Sequence, residues 1–175
     1  MRNSTKKIRD LIIFALLAAI ILTVQIALWG IPGVQLNGLF IASITVAYRT
    51  RALIPLYVYV LLYCLYYGFS TWNLPYFYIW IPLWGVFMLV SRLKTSKKVK
   101  APIYMVLCGL FGLSFGTLYA PVQAAVFSLN FEQTLAWIIA GLPSDITHAV
   151  NNFATGVLIV PLSELLIKLD NHSFL

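Results

Sequence analysis

From Leu11 to Trp29 the chain runs through an unbroken stretch of apolar and uncharged residues, and five more such runs follow before the C-terminus. A hydrocarbon layer about 30 Å thick needs roughly 20 apolar residues per crossing helix. Six such helices leave only loops in a chain of 175 residues. With 61% apolar and 10% charged residues, the chain cannot clothe a soluble domain, for which about a quarter of residues are charged. The expectation is one all-α membrane domain over residues 1–175, a six-transmembrane-helix bundle with both termini in the cytoplasm.

The runs are Leu11–Trp29, Leu36–Tyr48, Leu53–Tyr67, Tyr76–Val90, Ile103–Val126 and Ile146–Leu166. The first follows Arg2, Lys6, Lys7 and Arg9, as in a secretory signal. It is longer than a usual signal core, and Trp29-Gly30-Ile31-Pro32 lacks a small-x-small cleavage site, so it reads as a permanent helix. Cys64 and Cys108 sit in separate apolar runs without metal-ligand spacing and read as packed thiols.

Charge gives the orientation. With the N-terminus inside, Arg49, Arg51, Arg92, Lys94, Lys97, Lys98, Lys100 and Lys168 join the four N-terminal cations, and all 12 Lys and Arg residues fall on the cytoplasmic side. That is the positive-inside pattern. The net charge of +7 therefore reports topology and attraction to anionic lipid headgroups rather than to nucleic acid. The expected location is a cell membrane, in contact with the lipid bilayer.

The three outer loops, Gly30–Gln35, Gly68–Pro75 and Phe127–Asp145, carry Glu132 and Asp145 as their only charges. Trp72, Tyr76, Trp80 and Trp84 crowd on or just after the second, with Asn73 among them. Such rings form either an interfacial aromatic belt or a cage for a flat or apolar ligand; Asn73 favours the cage. In the last run, Asp145, His148 and Asn152 recur at i, i+3 and i+7 and share one helical face, with Asn151 beside it. Polar groups within a span must face protein or water, and ionisable ones are functional candidates. The alternative for Ser144 or Asp145 is to cap the helix after Pro143, with the amides joining helices. Gln35 and Asn37 flank the second run, and Tyr119 and Gln123 lie near the outer end of the fifth. All fall at one level, which argues for an outward-facing pocket.

Small-residue pairs mark close helix contacts: Gly112 and Gly116 for internal packing, and Ala15 and Ala19 for either internal packing or a partner helix. There is no phosphate-binding G-x-x-x-x-G-K-[ST] loop, no H-E-x-x-H and no G-x-S-x-G. No metal or other cofactor is expected, and the chain is not expected to be an enzyme. An intramembrane enzyme using Asp145 and His148 lacks a nucleophile at matching spacing. A self-sufficient carrier or channel is the other alternative, but no duplication or mid-membrane polar path supports it.

Nearly the whole chain resembles the substrate-binding S components of energy-coupling factor (ECF) vitamin transporters. The resemblance rests on the six runs, Ala15-x-x-x-Ala19, the stretch from Tyr48-Arg49 through Pro55 to Pro75-Tyr76-Phe77-Tyr78-Ile79-Trp80, and Gly141-Leu142-Pro143-Ser144-Asp145 through His148, Asn152-Phe153 and Gly156. It implies a high-affinity vitamin-binding subunit of an importer. Its partners would be a vitamin-like small molecule, a transmembrane coupling subunit and two cytoplasmic ATPases that hydrolyse ATP. Ala15 and Ala19 match the position that docks the coupling subunit, and Gly30–Gln35 matches the loop covering the ligand. Gln35, Trp72, Asn73, His148 and Asn152 occupy regions that line such pockets. Aromatic rings and amides without an outer cation suit a neutral or cationic ligand, such as a B6-type pyridine or a corrinoid, better than a polyanion.

Overall fold

The computed structural model of the chain describes residues 2–31 and 33–172; Pro32 and the side chains of residues 2–7, Arg2, Lys6 and Lys7 among them, and of His172 lie outside the described residues. Among the described residues there are eight α-helices and no strand. They are α1 (Arg2–Leu28), α2 (Asn37–Tyr48), α3 (Leu53–Tyr67), α4 (Trp80–Val90), α5 (Lys97–Leu113), α6 (Phe115–Phe127), α7 (Phe131–Thr155) and α8 (Ile159–His172). Four stretches are long and apolar enough to cross a membrane: Ile8–Leu28, Asn37–Tyr67, Lys97–Phe127 and Phe131–Asn171. Leu74–Val90 is a shorter apolar stretch.

The Asn37–Tyr67 stretch is not one rod. Asn37 Nδ2 donates to the Tyr59 hydroxyl at 3.2 Å, whereas a straight helix would hold residues 37 and 59 about 33 Å apart. The chain reverses at the tight turn Arg49–Ala52, where Arg49 takes φ 56°. Nine of the 12 residues of α2 are buried, so this helix of about 18 Å faces protein along most of its surface.

The second half of the chain is a long antiparallel hairpin. Lys97 pairs with Glu164 at 2.7 Å, Gly156 abuts Met105, Gly112 abuts His148 and Gly116 abuts Asp145. Each step up α5 and α6 is matched by an equal step back along α8 and α7. Glycines permit this approach: a Cβ on Gly112 would lie 2.7 Å from the His148 backbone carbonyl, and one on Gly156 would lie 2.7 Å from Met105 Cα. Gly112 and Gly116 thus serve internal packing.

One stretch departs from the sequence expectation. Residues 131–145, expected in the outer loop Phe127–Asp145, are the first turns of α7. The helix starts early because Asn130 and Gln133 form a reciprocal capping box, with Gln133 N donating to Asn130 Oδ1 at 2.8 Å and Asn130 N donating to Gln133 Oε1 at 2.9 Å. Thr134, Trp137, Ile138 and Gly141, at helical spacing, turn their half-buried sides inward. Pro143 lies inside the helix rather than at its start, so neither Ser144 nor Asp145 caps it.

The molecule has two chemically distinct ends. At one, Arg9 pairs with Asp10 and Asp170 at 2.8 and 3.0 Å, and Arg51 pairs with the same two carboxylates at 2.9 and 3.5 Å. This joins α1, the α2–α3 turn and α8. The other end, around Gln35 and His148, lies about 33 Å away along α7 and α8.

Candidate functional site

The interior beneath the Gln35 end is built from rings and amides. Tyr63 stacks on Tyr76 with centroids 4.4 Å apart. Tyr76 meets Trp80 and Tyr119 edge-on at 5.6 and 6.3 Å, and Trp80 lies 5.7 Å from Phe111 and 6.2 Å from Phe115. Phe115 in turn reaches the His148 ring at 5.4 Å. The series brings α3, α4, α5, α6 and α7 onto one cluster. Its polar side is a chain of hydrogen bonds: Asn37 Nδ2 to the Tyr59 hydroxyl, that hydroxyl to Gln25 Oε1, and Gln25 Nε2 to the Tyr76 hydroxyl at 3.5 Å.

The polar stripe of α7 faces this interior, as its spacing predicts, while Ile146, Val150 and Phe153 on the opposite side are exposed. Its members do different things. Asp145 is buried and accepts the Gly116 N–H with both oxygens, at 3.0 and 3.1 Å. Gly116 is in the first turn of α6, just past the break at Ser114, so a carboxylate from α7 caps another helix. Ser114 itself makes no cap bond and turns its Oγ to the Phe111 carbonyl at 2.8 Å.

His148 Nδ1 lies 2.9 Å from Gln35 Nε2, and His148 Nε2 lies 3.4 Å from Ser144 Oγ. With the Gln35 amide donating, Nδ1 accepts and the ring proton sits on Nε2. Asn151 Nδ2 donates to the Gln35 carbonyl. Gln35 therefore straps the loop after α1 to α7 through side chain and backbone together. Gly33 completes the seat: it takes φ +74°, and a Cβ there would lie 2.8 Å from Thr147 Cβ.

Several buried polar atoms in this region have no hydrogen-bond partner among the described residues: Trp80 Nε1, Asn152 Oδ1 and both amide atoms of Gln123. Trp80 is 1% exposed, Asn152 1% and Gln123 0%. Buried polar groups are satisfied in the great majority of cases, and an orphan costs about 1–3 kcal/mol. Trp80 and Asn152 are linked by two series of contacts. One runs from Trp80 through Phe115 to His148, one turn from Asn152. The other runs from Trp80 to Tyr59 at 6.4 Å, on to Asn37, and from adjacent Gly38 to Asn152, whose Oδ1 would sit 3.1 Å from a Cβ on that glycine.

Of the expected site residues, Gln35, Asn37, Tyr76, Trp80, Tyr119, His148, Asn151 and Asn152 are brought together, and Gln123 lies one turn beyond Tyr119 on α6. Three are placed elsewhere. The Trp72 ring is 55% exposed, and only its backbone carbonyl takes part, accepting the Tyr119 hydroxyl at 3.0 Å. Asn73 is buried but donates to the Gly68 carbonyl within its own loop. Trp84 points to the opposite end, where its Nε1 donates to the Arg49 carbonyl at 3.2 Å, because one helical turn past Trp80 carries it away from the Gln35 end. Asp145 acts on α6 rather than on open space.

Ala15 and Ala19 are exposed, whereas Phe14 and Ala18 of the same helix are buried. Among the described residues, none covers this face. Gln25 and Tyr59 escaped the sequence reading, although the signal was present: an amide inside an apolar run must find a partner. Among the described residues, no group of three His, Cys, Asp or Glu side chains is placed to hold a metal ion. No protein-family model, curated protein or solved structure matches the chain.

Proposed function

We propose that the chain is the substrate-binding subunit of an ECF-type importer, crossing the membrane six times with both termini inside. It captures a water-soluble vitamin at the outer face for uptake driven by separate ATPases. The observation that carries this reading is the set of buried, unpartnered polar atoms on Trp80 and Asn152 within a ring-lined interior, capped by the Gln35 strap.

The two-ended chemistry supports the orientation. The Arg9, Arg51 and Lys97 ion pairs gather at the end assigned to the cytoplasm, and the Gln35–His148 layer lies about one hydrocarbon thickness away. The reversal at Arg49–Ala52 accommodates two crossings between residues 37 and 67, and the buried position of α2 explains how so short a helix serves. The exposed Ala15 and Ala19 offer a flat face on α1 suited to a coupling subunit. A B6-type pyridine or a corrinoid suits the rings and amides.

Isothermal titration of the purified full-length protein against a panel of water-soluble vitamins tests the reading. One member binding saturably at one per chain is the expected result. No saturable binding to any member would refute it.

A further inference from the structure

The charge of the ligand is written into what the interior groups already do. An anion requires a cation, yet the cations with described side chains cluster at the far end, where Arg9 and Arg51 are held by Asp10 and Asp170 and Arg49 bonds Ser91 Oγ at 3.0 Å. A buried cation is held best when a free carboxylate joins the rings, yet Asp145, the acidic side chain on the inner face of α7, holds the Gly116 N–H with both oxygens. His148 has Gln35 at one ring nitrogen and Ser144 at the other. The unpartnered polar atoms around the rings are neutral: the indole N–H donor of Trp80, the amide oxygen acceptor of Asn152 and the whole side-chain amide of Gln123, one turn beyond Tyr119.

We infer that the ligand is an uncharged, planar nitrogen heterocycle that accepts a hydrogen bond from Trp80 Nε1, donates one to Asn152 Oδ1, and lies against the rings around Trp80. This rests on the proposed binding-subunit reading and narrows its substrate class. Ring faces supply contact area to a flat molecule. A buried donor and a buried acceptor discriminate strongly against an analogue that cannot satisfy both. A fixed charge on the ligand would enter a region with no free counter-charge among the described side chains, at a large desolvation cost.

Paired titrations at neutral pH test the inference on the full-length protein, setting pyridoxine against pyridoxal 5′-phosphate, nicotinamide against nicotinate, and adenine against its 5′-monophosphate, with thiamine, whose thiazolium is permanently charged, as the cation. The expected result is that a neutral member binds at least tenfold more tightly than its charged counterpart and than thiamine. W80F, which keeps a ring but removes the donor, weakens binding of that member by roughly tenfold, and N152A does likewise. Both variants also remove buried volume and lower the melting temperature of the ligand-free protein; F87L, which removes buried volume beside Tyr104, lowers it too but leaves affinity unchanged, whereas a purely packing role for Trp80 and Asn152 would weaken binding no more than F87L does. Preference for a phosphorylated, carboxylated or cationic member overturns this inference and leaves the binding-subunit reading standing. Unchanged affinity in both variants also overturns it. If no member binds, the reading and the inference fall together.

Discussion

The Asp145 carboxylate on α7 caps α6 through Gly116, whose backbone N–H it accepts at 3.0 and 3.1 Å. The 97–127 rod breaks at Ser114, which leaves first-turn N–H groups of α6 without intrahelical partners. Satisfying one from a neighbouring helix ties the break to the α7 face that carries His148 and Asn152. Gly116 is required for this, because a Cβ would stand 2.5 Å from Asp145 Oδ2.

Asp145→Ala therefore leaves a buried N–H unpaired and destabilises the protein by about 1–3 kcal/mol. Gly116→Ala costs a similar amount, by pushing the carboxylate aside. The two act through one contact, so the double variant costs less than the sum of the singles. Melting temperatures of the four proteins in one detergent measure this; strict additivity would contradict it.

Glycine substitutions separate helix contact from helix propensity. Gly112→Ala forces a Cβ against the His148 backbone, which cannot yield as a side chain does, and destabilises by about 1–3 kcal/mol. Gly141, in the same hairpin, has nothing within 4 Å of an added Cβ. Gly141→Ala is expected to stabilise by about 0.4–1 kcal/mol. Thermal unfolding of the two variants should shift in opposite directions.

The apolar helices and the inward polar stripe were legible because each follows from periodicity: apolar runs of helical length, and Asp145, His148 and Asn152 at i, i+3, i+7. What periodicity does not carry was missed. The capping box at Asn130 and Gln133 turned an expected loop into helix, although the sequence contains both residues at the right spacing. Trp72, Asn73 and Trp84 belong to an aromatic-rich stretch, but which way each side chain points depends on where the tight turn Leu74–Phe77 hands over to α4, a tertiary matter. Gln25 finds its partner only where α3 packs against α1 and supplies the Tyr59 hydroxyl. The ion network of Asp10 and Asp170 required knowing that α1 and α8 end side by side.

Gln35→Ala removes the side-chain contact with His148 while leaving the Asn151 bond to the Gln35 carbonyl in place. On the proposed reading the strap covers the ligand, so the variant dissociates its ligand about three- to tenfold faster with little change in association rate. Trp72→Ala, altering an exposed ring whose backbone carbonyl keeps its bond to Tyr119, should leave both rates unchanged. Stopped-flow dissociation distinguishes them.

Ala15→Trp combined with Ala19→Trp places bulk on the exposed face of α1 without touching the ring cluster. Ligand affinity should be that of the parent, while uptake into cells that also produce a coupling subunit and its ATPases falls to background. Parent-level uptake would show that this face meets lipid alone.

The central claim is that the interior around Trp80 and Asn152 is made to hold one small molecule. Native mass spectrometry of the full-length protein, released gently from detergent after growth of the producing cells in rich medium, reads this directly. The account predicts a one-to-one small-molecule adduct that W80F and N152A lose and W72A retains. Protein that carries lipid adducts alone, identical across the parent and all three variants, would contradict it.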